Sequence, residues 1–324
     1  MPNLRRPRRG SKGYWPRARA SRIYPAITSW PVVADPKPLG FAGWKAGMSH
    51  AMMVDTNPNS RTKGQLVAKP VTVLECPPLV VWGYRIYTCN GARSVSALDV
   101  IFEKPSKNLG RKIPLPKAPK TAEQMKKLEQ IKNISAVRLL CHTQPTFKKK
   151  PEIFELALGG TPDKQLEYAK SLLGKEIKIS DVFKAGDFID TISVTKGKGF
   201  QGPVKRFGIK MFRRKAQQMQ RHTGSLGQTE PGKVRPTVPQ AGQLGFFTRT
   251  ELNKRIVKIG SGTDINPVGD WLRYGKIRGD YIVIEGSVPG PTKRLIRLRL
   301  ALRPPKVRHP VDIKAISTVS MQGV

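Results

Sequence analysis

Gly197, Gly199 and Gly202 stand in the run KGKGFQG at the spacing G-x-G-x-x-G, which in dinucleotide-binding folds lets a backbone loop close around a pyrophosphate. That chemistry also needs a strand before the loop, a helix opening at the glycines, and an acid about 20 residues on to hold the ribose. A strand-like stretch, Thr191 to Thr195, does precede the glycines. Pro203 and then Lys205-Arg206-Phe207-Gly208 follow them, and the region near position 220 reads Gln220, Arg221, His222. The context for a dinucleotide is missing. Glycines that let the backbone approach a phosphate, beside Lys196, Lys198, Lys205 and Arg206 to neutralise it, account for the same residues. The other reactive side chains form no constellation. His50, His142, His222 and His309 lie in separate segments with no neighbouring Ser/Asp or Glu to make a triad or an acid/base pair. There is no G-x-S-x-G, no Walker A run and no H-E-x-x-H. Cys76, Cys89 and Cys141 are separated by 13 and 52 positions, which matches no zinc pattern. No catalysis, metal, cofactor or small-molecule substrate is expected.

Charge is the stronger signal. The 324 residues carry 59 Lys/Arg against 22 Asp/Glu, a net charge of +37, which implies an anionic partner. From Lys196 to Arg249 there are twelve Lys/Arg and one acid, Glu230, with many Gly and Pro and almost no apolar period. Such a stretch buries too little apolar surface to offset the entropy of ordering it, and needs a polyanion to fold against. Residues 1–34 repeat the theme with eight Lys/Arg, no acid, and Tyr14, Trp15, Tyr24 and Trp30 interleaved as candidate stacking groups. No apolar run approaches the roughly 20 residues of a membrane-spanning helix. The N-terminus lacks a signal-peptide core, so an intracellular, cytoplasmic protein is expected.

The elements that must position these residues read as mainly β with an α insert. Short runs rich in Val, Ile and Tyr at 48–54, 65–75, 79–88 and 95–102 are separated by turn residues such as Asn57-Pro58-Asn59, Pro77-Pro78 and Asn90-Gly91. Strand signals resume at 176–179, 188–194, 255–259, 279–286 and 293–303. In the last run Ile296, Leu298, Leu300 and Leu302 alternate with Arg297, Arg299 and Arg303, which predicts an apolar face in a core and an arginine face turned outward. Between 106 and 174 the character is helical. Thr121 with Gln124 predicts a capping box ahead of Met125, Leu128, Ile131, Val137, Leu139 and Leu140. Thr161, Pro162 and Gly174 bracket a second helix. The boundaries that follow are a basic N-terminal extension over 1–38, a β core over 39–105 and 175–303, a helical insert over 106–174, an extended central loop over 208–247 within the second half of the core, and a tail over 304–324.

Several runs also carry a family resemblance. Asp181-Val-Phe-Lys-Ala-Gly-Asp187, Val194-Thr-Lys-Gly-Lys-Gly-Phe-Gln-Gly202, Val204-Lys-Arg-Phe-Gly208, GSLGQTEPGKV at 224–234 and AGQLG at 241–245 resemble the universal large-subunit ribosomal protein L-three. RRGSKGYWPRARASR at 8–22 and GFAGWKAGMSH at 40–50 are similar to its archaeal/eukaryotic branch, and the matches run in order from about residue 8 to about 303. The resemblance implies a translation-protein-type β-barrel with two projections, the arm and the central loop, both embedded in large-subunit rRNA. It also implies early entry into subunit assembly, neighbouring large-subunit proteins as partners, and a loop that reaches toward the peptidyl transferase centre. Eukaryotic members carry a Trp near the loop tip, where this chain reads Gly227-Gln228-Thr229-Glu230. Gln217 falls near a position that is methylated in some relatives.

The expected rRNA contacts are Arg5, Arg6, Arg8, Arg9, Lys12, Trp15, Arg17, Arg19 and Arg22 from the arm. From the loop and its surroundings come Lys196, Lys198, Lys205, Arg206, Arg213, Arg214, Lys215, Arg221, His222, Lys233, Arg235 and Arg249, with Arg297 and Arg299 from the last strand. Gly197, Gly199, Gly202, Gly224, Gly227, Gly232, Gly242 and Gly245 are expected to allow close approach. Two rivals come from other classes. A DNA-binding chromatin protein shares the charge without needing a large core. A nucleic-acid-modifying enzyme needs a concave site joining His50 or His142 to an acid.

Overall fold

A computed structural model of the chain describes residues 10–91, 93–116, 120–131, 133–216, 218–230 and 232–320. Arg5, Arg6, Arg8, Arg9 and Gln217 lie outside the described residues. The fold is mainly β. In chain order the strands and helices are β1 (Gly40–Val54), β2 (Leu66–Glu75), β3 (Leu79–Asn90), β4 (Arg93–Ile101), α1 (Thr121–Glu129), β5 (Ile134–Thr143), β6 (Ile153–Ala157), α2 (Pro162–Leu172) and β7 (Glu176–Ile177). They continue as β8 (Phe188–Val194), β9 (Gly197–Gln201), α3 (Pro203–Phe207), β10 (Gly242–Gly245), β11 (Thr248–Ser261), β12 (Asp280–Glu285), β13 (Leu295–Leu300) and β14 (Asp312–Ile316). Two units emerge: Met1–Ile23 with Val194–Arg249, and Tyr24–Ser193 with Thr250–Val324.

In the larger unit one sheet runs β13-β8-β11-β12-β2-β1-β14, and β1 also pairs with β13, so hydrogen bonding returns to its starting strand. The length of β1 makes this possible. Gly40–Trp44 pair with Leu295–Arg299 of β13, while Ala51–Val54 pair with Asp312–Ile316 of β14 farther along. A second sheet has the order β4-β3-β5-β6, with β7 on β3. Strands buried on both sides read as continuous apolar runs rather than as alternation. On β12, Ile282 and Ile284 enter one core with Phe41, Leu139, Leu156 and Leu298, whereas Tyr281 and Val283 enter another with Val71, Val73, Val257 and Trp271.

The expected strands of the first half are present, and the segment between them differs from expectation. Helices occupy only Thr121–Glu129 and Pro162–Leu172 of the stretch 106–174. Val137, Leu139 and Leu140, read as helical, lie in β5, where Leu139 and Cys141 are fully buried. A short apolar run buried on both faces does not by itself distinguish strand from helix. Thr121 and Gln124 form no capping box. The Thr121 hydroxyl donates to the Ile101 carbonyl at 2.7 Å, and the Gln124 side-chain oxygen accepts from the Ile101 amide at 2.9 Å, so both side chains tie α1 to the end of β4. Thr161 is the N-cap residue of α2 and Pro162 opens the helix, as expected. Gln165 fastens it, accepting from the Val137 amide and donating to the Leu158 and Gly160 carbonyls.

The outward arginine face expected on β13 is not found. Arg297 and Arg299 are 1% and 5% exposed. β13 lies between β8 and β1, and its arginine side meets buried acceptors instead of solvent. The Arg297 guanidinium sits 3.9 Å from the centre of the Phe154 ring and donates to the Glu155 carbonyl at 2.8 Å; burial pulls its pKa down to about 10. Arg299 donates through Nη2 and Nε to one oxygen of Asp190 at 2.7 and 3.2 Å and through Nη1 to the Ser29 carbonyl at 2.8 Å. Asp190 also accepts from the Asn253 and Leu302 amides. Both guanidiniums, expected at the RNA surface, are instead buried and engaged with partners of their own chain.

Removing one partner of a buried ion pair strands the other charge, which costs about 3–5 kcal/mol. Arg299→Leu is therefore expected to lower unfolding free energy by about that amount in a denaturant titration. A loss comparable to that of an exposed surface pair would contradict the structural role given to Asp190 and Arg299.

Candidate nucleic-acid interface

The smaller unit has little regular structure. Its charge is lopsided: the described stretches 10–23 and 194–249 hold sixteen Lys/Arg and one acid, while 21 of the chain's 22 acids belong to the larger unit. β9 and β10 form a two-stranded ribbon in which Gln201 faces Gly242, Phe200 faces Gln243 and Gly197 faces Gly245. A Cβ at Gly245 would lie 2.1 Å from the Lys196 carbonyl oxygen, so the close pass between the strands there requires glycine. The Phe246 amide donates to that same carbonyl at 3.1 Å.

A helix does open after Gly202. It is α3, only five residues long, with Pro203 in its first turn and Gly208 ending it in the left-handed region at φ 64°. Gly197 and Gly199 lie within β9 instead of forming a turn between a strand and a long helix, so the geometry of a dinucleotide site is not assembled.

The arm folds along this base through aromatic and cationic contacts. Trp15 stacks on Phe207 with ring centres 5.6 Å apart, and the Arg17 guanidinium lies 4.3 Å from the centre of the same Phe207 ring. The Ala20 amide donates to the Phe246 carbonyl at 2.9 Å, and Arg19 lies over the Phe246 ring. Arg249 sits 4.4 Å from the centre of Tyr14 and 5.1 Å from that of Phe247. Such contacts are worth about 0.5–2 kcal/mol each, the more so as water is excluded. Arg206 closes the base by donating to the Gln243 carbonyl at 2.9 Å and the Gln240 carbonyl at 3.1 Å, and burial lowers its pKa.

The expected phosphate contacts thus separate into two groups. Arg17, Arg206 and Arg249 are half-buried and engaged with their own chain, as is Trp15. Lys12, Arg19, Arg22, Lys196, Lys198, Lys205, Arg213, Arg214, Lys215, Arg221, His222, Lys233 and Arg235 are exposed. Between Gly208 and Ala241 the described residues form neither helix nor strand. A few bonds shape this loop: Phe212 amide to Gln220 carbonyl, Gln220 side chain to Arg214 carbonyl, Thr223 hydroxyl to Pro239 carbonyl. Phe212, Met219 and Leu226 stay substantially exposed around an open cavity of about 900 Å³.

His142 is fully buried in β5, where desolvation lowers its pKa, and His50 is exposed on β1. Among the described residues no three His, Cys, Asp or Glu side chains are grouped to hold a metal ion. No helix among them is long and apolar enough to cross a membrane.

Phe200 was missed in the sequence; its signal is an aromatic flanked by Gly199 and Gly202 in a lysine-rich run, yet 77% exposed.

Comparison with known proteins gives one consistent result. The family model described as Ribosomal protein L3 matches residues 1–323. The chain is 46% identical to large ribosomal subunit protein uL3 of Methanothermobacter thermautotrophicus over the full length of both. It is 47% identical to the uL3 of Methanocaldococcus jannaschii over 99% of each chain, and 46% identical to that of Archaeoglobus fulgidus over 98% of each.

Arg206→Ala removes a hydrogen bond to the partly buried Gln243 carbonyl and one to the exposed Gln240 carbonyl, a loss of about 1–2 kcal/mol, so the β9 and β10 amides should exchange with solvent roughly tenfold faster. Arg206→Lys is not expected to restore protection, because an ammonium lacks the guanidinium's planar fork. Unchanged exchange in Arg206→Ala would show that Arg206 does not hold the ribbon.

Proposed function

Because the chain belongs to the ribosomal protein L3 family, we propose that it is a structural constituent of the large ribosomal subunit that binds large-subunit rRNA chiefly through its smaller unit. The observation that carries this reading is the segregation of charge: sixteen cations and one acid in a unit with a short ribbon, a one-turn-scale helix and a long loop. A polyanion supplies the counter-charge that such a surface lacks. Phosphate contacts fix position and register, while A-form grooves hide base edges, so recognition falls to RNA shape and to unpaired nucleotides.

In this reading the circuit of β1, β2, β12, β11, β8 and β13 is the translation-protein-type β-barrel, with the second sheet and its two helices packed as an insert. The barrel carries the arm and the loop, and the loop points toward the peptidyl transferase centre. Neighbouring large-subunit proteins and early subunit assembly complete the role, in the cytoplasmic ribosome. Lys12, Lys196, Lys198, Lys205, Arg213, Arg214, Lys215, Arg221, Lys233 and Arg235 take phosphates. Arg17, Arg206 and Arg249 hold the arm and the ribbon in shape for them. The exposed glycines of the loop, Gly224, Gly227 and Gly232, allow turns next to the RNA backbone. The absence of a tip Trp leaves the loop's placement intact and removes an aromatic from its end.

Replacing residues 209–241 by a short Gly/Ser linker deletes Lys210, Arg213, Arg214, Lys215, Arg221, Lys233 and Arg235. The slope of log affinity for a large-subunit rRNA transcript against log salt is then expected to shrink by up to about 5, at roughly 0.7 per lost phosphate contact. The melting temperature should stay near that of the intact chain, since the loop contributes little core. Equal affinity of the intact chain for duplex DNA at matched salt would favour a chromatin protein instead.

A further inference from the structure

The geometry points to Phe200 as a base-stacking residue: its ring forms an open platform for an unpaired nucleobase of the RNA, with Lys198 beside it for a phosphate. This rests on the RNA-binding reading above and extends it to a residue and a ligand group. Phe200 is 77% exposed, a large apolar surface left in water on a ribbon whose backbone is otherwise hydrogen-bonded. The other aromatics at the base of the unit are occupied. Tyr14, Phe246 and Phe247 each carry a guanidinium, and Trp15 and Phe207 carry each other and Arg17. Phe200 carries neither a ring nor a cation from any described residue.

The surroundings keep the ring uncovered. Gly199, in the left-handed region at φ 68°, interrupts the regular alternation of β9 beside the ring, and neither it nor Gly202 brings a side chain to lie over it. Opposite Phe200, the Gln243 side chain turns onto its own strand and donates to the Leu244 and Gly245 carbonyls. Gly202 is informative in a different way. Its φ is −67°, an ordinary value, and a Cβ there would meet nothing within 4 Å. The described residues therefore place no demand for glycine at 202, whereas a nucleotide pressed flat against the ribbon does. The exposed ammonium of Lys198, two residues from the ring on a long flexible stem, is within reach of that nucleotide's phosphate.

Stacking is a π-face interaction and carries no net charge. Alanine substitution at such a position typically weakens binding about tenfold, roughly 1.4 kcal/mol. In filter binding of the full chain to a large-subunit rRNA transcript, Phe200→Ala is expected to bind about tenfold more weakly with an unchanged salt slope, and Phe200→Trp to bind as wild type. Phe200→Leu, which keeps apolar bulk without a π face, should resemble Phe200→Ala. Lys198→Ala should instead flatten the slope by about 0.7–0.9. Melting temperatures of the Phe200 variants serve as the folding control and should match wild type. Wild-type affinity in Phe200→Ala, or full rescue by leucine, would overturn the stacking role while leaving the ribosomal reading in place. A wild-type chain that binds the transcript no more tightly than duplex DNA would sink both.

Discussion

Like charges repelling one another without enough apolar surface to hold them together is the constraint on which the smaller unit depends. Two unit charges about 10 Å apart in water repel by roughly 0.4 kcal/mol before salt screening. Sixteen cations with one acid accumulate many such pairs. The chain's response is to convert some of the cations into packing. Arg17, Arg206 and Arg249 lie over rings or donate to carbonyls, so the base of the unit is built from guanidinium faces and aromatic rings where another protein would use aliphatic side chains. The remaining cations stay exposed, and the loop that bears seven of them acquires neither strand nor helix among its described residues. Order at the base and openness beyond it have the same electrostatic cause.

The larger unit solves the opposite problem. It holds nearly all the acids, two large apolar cores and a smaller third around Trp82, Leu109 and Leu140, and its central strands are covered on both faces. Two-sided burial leaves no solvent face for the arginines of β13, so each has a specific interior partner: Asp190 for Arg299, the Phe154 ring and Glu155 carbonyl for Arg297. One strand thus shows arginine used as an interior cross-link, while in the smaller unit the same residue type is used both as packing and as an exposed charge. Residue type alone does not decide which; the covering element does.

That distinction marks what a sequence of this kind discloses. Runs bounded by Asn-Gly or Pro-Pro turns announce β2, β3 and β4, because turn chemistry is local. β5 reads as helix because its apolar run is buried on both sides and therefore carries no period of two. Thr121 and Gln124 mimic a capping box but serve β4, a contact some twenty residues away that spacing cannot reveal. The basic arm and loop are plain in composition, whereas the division of their cations into packed and exposed groups depends on Phe207, Phe246 and Tyr14 arriving from distant positions. Alternation in β13 is visible, and what covers its second face is not.

Hydrogen–deuterium exchange of the intact chain, free and bound to a large-subunit rRNA transcript, addresses the central claim most directly. On this account the strands of the larger unit are protected in both states, while residues 209–241 exchange rapidly when free and become protected on the RNA. Equal protection of 209–241 with and without RNA would contradict it.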